Sequence, residues 1–307
     1  MRVAVTGAQG FVGTALCPSL KLRGYEVIEI GRPGTALGLS LHAAAGWRER
    51  LDGVDTVVHL AARAHITKEH EADPLSSFRH VNVLGTRCVA DAAMAAGVRR
   101  FVFVSSIGVF GVARDEVISE QSSIDPQEPY AMSKWEAEQD LRSLTSNGRM
   151  ELVILRPTLV YGPHAKGNFH RLMRLVAARI PLPLASIRNR RSFIGIDNLC
   201  DLLIACIAHP DAAGRMFVAA DGQDVSTPQL LSLISAAMQR RDLQFRFPLR
   251  GVRALMSAVG RGTEFDRLTS TLAVDASYAS EVMSWTPRHD LESGIQRMVD
   301  AFVGKSP

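Results

Sequence analysis

The segment 129–134 (PYAMSK) places a phenol, Tyr130, and an ammonium, Lys134, four residues apart. Side chains at this spacing are neighbours on one face of a helix. Alone, tyrosine and lysine titrate near about 10 and about 10.4, but a nearby cation favours the phenolate and lowers the tyrosine pKa. We therefore predict that Tyr130 gives and takes a proton while Lys134 tunes it. Two unrelated surface residues are the alternative.

A glycine-rich turn lies near the start of the chain. Residues 3–6 form a β-branched run and 14–22 an amphipathic helical pattern, with Gly7, Gly10 and Gly13 between them. This order is typical of dinucleotide-binding proteins, although the spacing differs from the usual G-x-G-x-x-G. The helix start offers free N–H groups to a pyrophosphate. We therefore assign cofactor binding at this turn to Gly7, Gly10, Phe11 and Val12.

The end of the second predicted strand, 24–30, indicates which nicotinamide cofactor binds. An acidic residue at this point would accept hydrogen bonds from the adenosine ribose hydroxyls of NAD. This chain has Gly31 and Arg32 instead. A small residue followed by an arginine leaves room and charge for a 2′-phosphate. We therefore predict NADP(H), with NAD(H) and a solvated turn arginine as the alternative.

Further residues of the predicted site follow other strands. Residues 100–104 form an apolar strand that ends at Ser105 and Ser106. Because ligands bind at the carboxyl ends of parallel strands, both serines are predicted to be functional. His59, in the strand 56–62, is predicted to be a core histidine rather than a ligand. The remaining residues assigned to the cofactor are Leu60, Ala61, Ala62, Asn82, Ser105, Tyr130, Lys134 and Pro157.

The alternation of strands and helices up to residue 163 predicts an α/β fold with a Rossmann-like doubly wound parallel sheet. Beyond it, shorter helices, more turns and more basic residues predict a smaller C-terminal α/β substrate domain. The segment 193–196 is interpreted as a strand that returns to the main sheet. The predicted dinucleotide domain is thus 1–163 with a returning segment near 192–210. The nucleotide-sugar domain comprises 164–191 and 211–307.

The composition of the chain indicates a globular protein with a sizeable core. The 307 residues are 47% hydrophobic, which is ample for a core. No apolar run approaches the about 18–20 residues of a membrane span, and the chain opens without an apolar signal, so we predict a cytoplasmic protein without membrane insertion. The four cysteines lack metal-ligand spacing, which predicts reduced thiols and no metal. The net charge of +4, mostly scattered, favours a small anionic ligand over nucleic acid.

One basic cluster stands out, Arg188-Asn189-Arg190-Arg191. Planar guanidinium groups suit phosphate oxygens, so the cluster is predicted to clamp a diphosphate. A solvated basic loop is the alternative.

Six motifs occur in order along nearly the whole chain. They are Thr6-Gly7-x-x-Gly10-Phe11-x-Gly13, His59-Leu60-Ala61-Ala62, Asn82-x-x-Gly85-Thr86, Ser105-Ser106-x-x-Val109-Phe110-Gly111, Tyr130-x-x-x-Lys134 and Arg156-Pro157. In these motifs the chain resembles the extended short-chain dehydrogenase/reductase family, and within it the nucleotide-sugar epimerases, dehydratases and 4-reductases. The segments 167–169, 189–192 and 197–199 are similar to those of bacterial reductases of UDP-4-keto-6-deoxy-N-acetylhexosamine, which supply lipopolysaccharide O-antigen sugars.

The resemblance implies roles for individual residues. The implied catalytic residues are Ser106, Tyr130 and Lys134, and the implied substrate-binding residues are Ser106, Asn168, Arg191 and Arg267. The resemblance also implies a homodimer formed through the helices that contain Asn82 and Tyr130. One departure is Phe110, which stands where the family usually has a tyrosine and removes a hydroxyl near the sugar.

The implied reaction is NAD(P)H-dependent reduction of the C4 ketone of a UDP-linked 4-keto-6-deoxy-N-acetylhexosamine. The product would be UDP-N-acetylquinovosamine or its 4-epimer. Tyr130 would give its proton to O4 and Ser106 would polarise the carbonyl. A UDP-sugar 4-epimerase with tightly bound NAD is the alternative, and a non-catalytic nucleotide-sensing protein on the same fold is a third hypothesis.

Overall fold

The computed structural model describes residues 1–32, 34–35, 38, 40–42, 44–64 and 73–304. Its strands are β1 (Arg2–Thr6), β2 (Glu26–Ile30), β3 (Thr56–His59), β4 (Arg100–Val104), β5 (Glu151–Pro157), β6 (Leu159–Tyr161), β7 (Phe193–Gly195) and β8 (Met216–Ala219). Among the described residues, six strands form one parallel sheet in the order β2-β1-β3-β4-β5-β8. This is the α/β, Rossmann-like sheet that the sequence predicts.

Helices connect and follow these strands. They are α1 (Phe11–Leu22), α2 (Ala44–Arg50), α3 (Pro74–Arg79), α4 (Thr86–Ala95), α5 (Pro129–Thr145), α6 (Asn168–Ala177), α7 (Ile196–Ala208), α8 (Thr227–Ala237), α9 (Leu249–Ala258), α10 (Gly262–Thr269), α11 (Tyr278–Met283) and α12 (Leu291–Phe302). A π-helical segment, His80–Gly85, joins α3 to α4, and a 3₁₀ turn spans Ile107–Phe110. Among the described residues, no helix is both long and apolar enough to cross a membrane.

Each face of the sheet is covered by helices, because successive residues of a strand point to opposite faces. Val102 of β4 belongs to a hydrophobic cluster with residues of α1 and α7. Its neighbours Phe101 and Phe103 belong to a second cluster with residues of α4 and α5. All three side chains are 0% exposed. Burial on both faces explains why these strands are apolar at nearly every position.

The prediction for the segment 193–196 is wrong. Strand β7 pairs in parallel with β6 in a separate two-stranded sheet, and β8 is the strand that pairs with β5. The backbone N–H and the Oγ1 of Thr158 both bond the carbonyl oxygen of Ala219 at 3.0 Å, which closes the β5–β8 edge just before β6 begins. Helix α7 starts at Ile196, so this part of the chain packs against the sheet as a helix.

A separate hydrophobic cluster lies among β6, β7 and the helices α6, α8 and α12. Its buried members include Phe169, Phe193, Leu230 and Ile295. All of its buried members come from the C-terminal part of the chain, from Tyr161 to Val299. The domain boundaries at 163, 191 and 211 stay a prediction, and residues 305–307 lie outside the described residues.

A buried ion pair fixes α5 to β5. The Nε and Nη2 atoms of Arg156 donate to the carboxylate of Glu138 at 3.0 and 2.5 Å, and neither side chain is more than 2% exposed. The guanidinium carbon lies 4.7 Å from the centroid of the Phe110 ring and 5.6 Å from that of Trp135. Since α5 carries the predicted acid–base pair, this ion pair holds that pair against the sheet.

We expect Glu138→Gln to lower the free energy of unfolding by about 3–5 kcal/mol, because it leaves the buried guanidinium of Arg156 without a counter-charge. The exposed pair Arg171–Glu264, 2.8 Å apart, supplies the matched control. Glu264→Gln should lose no more than about 1 kcal/mol. Urea unfolding at pH 7 measures both variants. Equal losses would contradict the special role of the buried pair.

Candidate active site

The residues predicted to bind the cofactor converge on one edge of the sheet. Parallel strands present their carboxyl ends to the same edge. Gly7 follows β1, Gly31 follows β2, Leu60 follows β3, Ser105 follows β4 and Pro157 ends β5. Distant parts of the sequence therefore meet along one crevice.

The glycine turn has no space for side chains. Gly7 has a φ of 68°, and a Cβ on it would lie 2.9 Å from the backbone nitrogen of Ala61. A Cβ on Gly13 would lie 2.4 Å from the carbonyl oxygen of Gly7. Gly10 caps α1 without a side chain, so the first N–H groups of the helix are not occupied by a side-chain cap. The turn therefore fits the pyrophosphate of a nicotinamide dinucleotide, which Gly7, Gly10, Phe11 and Val12 would hold.

The hydroxyl of Ser105 also fits a bound dinucleotide. Ser105 is 3% exposed, and its Oγ has no hydrogen-bond partner among the described residues. Its backbone N–H donates to the carbonyl of Leu155 at 2.7 Å, which fixes the residue between the ends of β4 and β5. A buried hydroxyl without a partner is uncommon and unfavourable. A ligand atom that bonds it would therefore be stabilised here.

Gly31 and Arg32 lie beside Gln9 of the glycine turn. A Cβ on Gly31 would lie 2.6 Å from the Oε1 atom of Gln9, the end of a flexible side chain. The backbone N–H of Arg32 donates to the same oxygen at 3.4 Å. The Arg32 side chain is exposed. Its guanidinium is therefore accessible to a ligand at the end of β2.

Asn82 is used by the protein itself. It is 0% exposed, and its amide exchanges hydrogen bonds with the backbone N–H and C=O of Arg63 at 2.8 and 3.1 Å. Its Nδ2 also donates to the hydroxyl of Ser133 at 2.9 Å, and Ser133 donates to the carbonyl of Tyr130 at 2.8 Å. Asn82 thereby joins the segment after β3 to the first turn of α5. It acts on the site by positioning these two elements.

Ser106 begins the 3₁₀ turn and is partly exposed. Its Oγ accepts a hydrogen bond from the N–H of Gly108 at 3.1 Å, which leaves the hydroxyl proton for another acceptor. Phe110, at the end of the same turn, is fully buried and packs against Arg156. The expected loss of a hydroxyl near the sugar stays a prediction.

Tyr130 and Lys134 share α5, but burial sets their pKa values. Lys134 is 1% exposed, with Nζ 4.0 Å from the centroid of the Phe103 ring. Burial lowers the pKa of Lys134 to about 7, and the charge of Glu138 opposes this shift. Burial raises the pKa of Tyr130 to about 12. The protein alone therefore does not lower the tyrosine pKa as expected, because burial disfavours the charged phenolate and a lysine whose own pKa is lowered offsets this poorly.

His59 is the core histidine that the sequence predicts. Its ring nitrogens bond the hydroxyls of Thr6 and Thr86 at 2.9 and 3.0 Å. Burial, followed by the charge of Lys134, lowers the pKa of His59 to about 3, so the ring is neutral at pH 7. The Thr6 hydroxyl also accepts from the N–H of Ala61 at 3.1 Å. This chain of bonds fixes the ends of β1 and β3 beside α4.

The structure brings two of the predicted substrate residues together. The Nη1 atom of Arg191 donates to the carbonyl of Arg267 at 2.6 Å and to Ser270 Oγ at 3.0 Å, and burial lowers the pKa of Arg191. The guanidinium of Arg267 pairs with Glu128, two residues before Tyr130. Asn168 is exposed in the first turn of α6. Arg267 thus links the predicted diphosphate clamp to the start of α5.

The sequence analysis missed three residues that shape this site. Glu128 pairs with Arg267, Ser133 connects Asn82 to Tyr130, and Glu138 is the buried charge nearest along α5 to Lys134. Ser133 and Glu138 lie three and four residues after members of the acid–base pair. Helical spacing from Tyr130 and Lys134 was therefore the signal that could have found both.

We expect the stability of the wild type to rise relative to Lys134→Met as pH increases above 7. The folded-state pKa of Lys134 is about 7, whereas the unfolded lysine titrates near about 10.4, so the unfolded chain binds more protons between these values. The relative gain between pH 7 and pH 9.5 should reach about 3 kcal/mol.

Unfolding of the NAD-free protein in urea at pH 7, 8.5 and 9.5 measures this difference. The exposed Lys166 supplies the control, since Lys166→Met should run parallel to wild type at every pH. A constant difference between wild type and Lys134→Met would show that Lys134 keeps an ordinary pKa.

Comparison with known proteins identifies the family. Residues 3–220 match the NAD dependent epimerase/dehydratase family. A UDP-glucose 4-epimerase of Vibrio cholerae is 38% identical over 98% of this chain and 95% of its own length. The N-acetyl-alpha-D-glucosaminyl-diphospho-ditrans,octacis-undecaprenol 4-epimerase of Escherichia coli O157:H7 is 27% identical over 80% of this chain and 75% of its own.

A solved structure has the same fold. The UDP-glucuronic acid 4-epimerase from Bacillus cereus, in complex with NAD, matches with a TM-score of 0.80 and 20% identity over 100% of both chains. Together with the matched residues 3–220, these findings confirm the resemblance to extended short-chain dehydrogenase/reductase enzymes. The chain belongs to the NAD dependent epimerase/dehydratase family.

Proposed function

We propose that this protein is a UDP-sugar 4-epimerase that keeps NAD bound. The observation that carries the proposal is Tyr130, placed with Lys134 on the helix that abuts the dinucleotide crevice. Its relative of 38% identity is named as a UDP-glucose 4-epimerase. The Bacillus cereus enzyme of the same fold is a 4-epimerase described with NAD.

The side chains of the site divide the work on the sugar. Bound nicotinamide supplies the hydride acceptor and donor for C4. Tyr130 takes the O4 proton on oxidation and returns it on reduction. Ser106 donates its free hydroxyl proton to O4 and holds that oxygen in place. Epimerisation requires the keto sugar to rotate in the crevice, so that hydride would return to the opposite face of C4 while O4 regains its proton.

The diphosphate provides binding energy away from the reacting carbon. Arg191 and Arg267 lie in contact, and Arg267 reaches the start of the Tyr130 helix. A diphosphate bound by these residues and by Asn168 would hold the substrate at a point away from C4. The free energy of this binding would position C4 beside Tyr130. The homodimer predicted from the resemblance is retained as part of this proposal.

We expect the purified protein to carry NAD and to interconvert UDP-sugars at C4 without added nicotinamide. Released nucleotide is measured after heat denaturation, and product by NMR of the UDP-sugar. Tyr130→Phe should lower kcat by about 10²–10⁴-fold, because it removes the proton donor. Tyr25→Phe, a half-buried tyrosine in the α1–β2 segment, is the control and should leave kcat unchanged.

Two results would count against this function. Activity that persists in Tyr130→Phe would point to a different proton donor. Bound nucleotide without any turnover of a UDP-sugar would favour the non-catalytic nucleotide-sensing protein.

A second candidate is the reductase of a UDP-linked 4-keto-6-deoxy-N-acetylhexosamine. The supporting observation is the exposed Arg32 beside Gly31 at the end of β2, which suits the 2′-phosphate of NADP(H). A reductase must exchange its cofactor after each turnover, unlike an epimerase. The product would be UDP-N-acetylquinovosamine or its 4-epimer, a precursor for O-antigen or other polysaccharides.

If the reductase is correct, the 4-keto sugar should cause stoichiometric oxidation of added NADPH, followed by its absorbance. Arg32→Gln should then lower kcat/KM for NADPH by about ten-fold or more and leave that for NADH unchanged, because a charge-assisted phosphate contact is lost. The exposed Arg149→Gln is the control and should alter neither. No oxidation of either cofactor would exclude the reductase.

A further inference from the structure

Exposed hydrophobic side chains gather around α9. Single exposed hydrophobic residues are common on proteins, but groups of them mark binding surfaces. Phe245 and Phe247 are 44% and 47% exposed, and Leu255 and Val259 are 67% and 61% exposed. We refer to these four residues as the apolar face. None of them belongs to the active site described above.

The four residues form one continuous surface. The rings of Phe245 and Phe247 lie 6.5 Å apart, edge to face. A Cβ on Gly251 would lie 3.1 Å from the Phe247 ring, so this ring rests on the first turn of α9. Leu255 lies one turn beyond Gly251, and Val259 lies one turn further. The apolar face therefore runs along the length of the helix.

Helix α9 is apolar on more than its inner side. Val252 is buried, and Leu249 and Met256 pack against the C-terminal cluster. A helix on the surface of a soluble protein usually carries polar residues on its remaining sides. Here Ala254, Leu255 and Ala258 are exposed instead. The buried contacts explain why α9 packs against the protein. They do not explain why the exposed side of the helix also carries apolar residues.

The segment that carries the apolar face is rich in arginine. Residues 240–261 contain six arginines and a single acidic residue, Asp242, in a chain whose net charge is only +4. Arg253 pairs with Asp266 at 2.9 Å. In the part of the chain that the structure describes, no carboxylate pairs with the other five, which are all exposed. These five are Arg240, Arg241, Arg246, Arg250 and Arg261.

We propose that the apolar face docks onto the surface of an anionic phospholipid bilayer. Helices that lie in a membrane interface typically expose Phe and Leu side chains on one face and carry arginines beside them. The rings and the Leu255 side chain would enter the acyl boundary, while the arginines meet the lipid phosphates and extend their stems along the apolar surface. Charge complementarity thus selects an anionic bilayer over a neutral one.

Docking by α9 would hold the active site close to the bilayer. The Arg253–Asp266 pair ties α9 to α10, and α10 carries Arg267, which reaches the start of the Tyr130 helix. Any effect of this placement on catalysis rests on the proposed function. The binding of lipid is independent of that function, because it uses residues outside the active site.

Sedimentation with vesicles tests the proposal in the full-length protein. We expect binding to vesicles of phosphatidylcholine with phosphatidylglycerol, little binding to phosphatidylcholine alone, and release of the protein as salt rises. Phe247→Ser with Leu255→Ser should lower the partition coefficient by about ten-fold or more. Arg246→Gln with Arg250→Gln should lower it about thirty-fold, from about 1 kcal/mol for each arginine.

Matched controls come from exposed residues elsewhere. Leu22→Ser changes an 89% exposed leucine, and Arg149→Gln an exposed arginine; both should bind vesicles like wild type. Every variant should keep wild-type turnover of a soluble UDP-sugar, or, if the chain lacks this activity, the wild-type melting temperature. Equal binding to neutral and anionic vesicles would overturn the proposal. So would a Phe247→Ser, Leu255→Ser protein that dissociates from a dimer to monomers while its vesicle binding stays unchanged.

Discussion

The position of α5 depends on charge buried beneath it. Glu138 and Arg156 form a bidentate pair with no access to water, and Phe110 and Trp135 cover the guanidinium. A buried pair of this kind contributes little net stability compared with apolar residues, but either partner alone is strongly unfavourable. The pair therefore specifies one docking of α5 on β5 and disfavours others. Because Lys134 lies one turn before Glu138, the same constraint places a lysine in the interior, where its charge becomes sensitive to its surroundings.

The opposite side of α5 is held by neutral hydrogen bonds. Asn82 lies in the π-helical segment between α3 and α4, where the wider turn interrupts a long helix. Such segments are rare and often occur at functional sites. Its amide connects the backbone at Arg63 with Ser133, so the π-helical segment, the segment after β3 and the start of α5 are joined by hydrogen bonds. The ion pair and the amide together fix the backbone of α5 near Tyr130, which suits a residue that must meet O4 of a sugar.

The parts of this fold that local sequence encodes were predictable, and the long-range parts were not. Buried parallel strands and the glycine turn produce apolar runs and a fixed spacing, so β1 to β5 and the Gly7 turn follow from the sequence alone. Strand β7 is as apolar as β8, however, and only pairing across distant residues decides which joins the sheet. Likewise, the motif that adjoins Ser106 gives no sign that Phe110 is buried beside Arg156, a residue far along the chain.

The direction of the Tyr130 pKa shift depends on charge brought to the crevice. Burial alone raises the pKa of Tyr130 to about 12 and lowers that of Lys134 to about 7. A bound dinucleotide would bring negative phosphate charge to this crevice, and nearby negative charge favours the charged form of an ammonium. A charged Lys134 would in turn favour the phenolate of Tyr130. Tyr130 would therefore become an effective base only beside a bound dinucleotide, so that binding of the cofactor itself prepares the site for proton transfer.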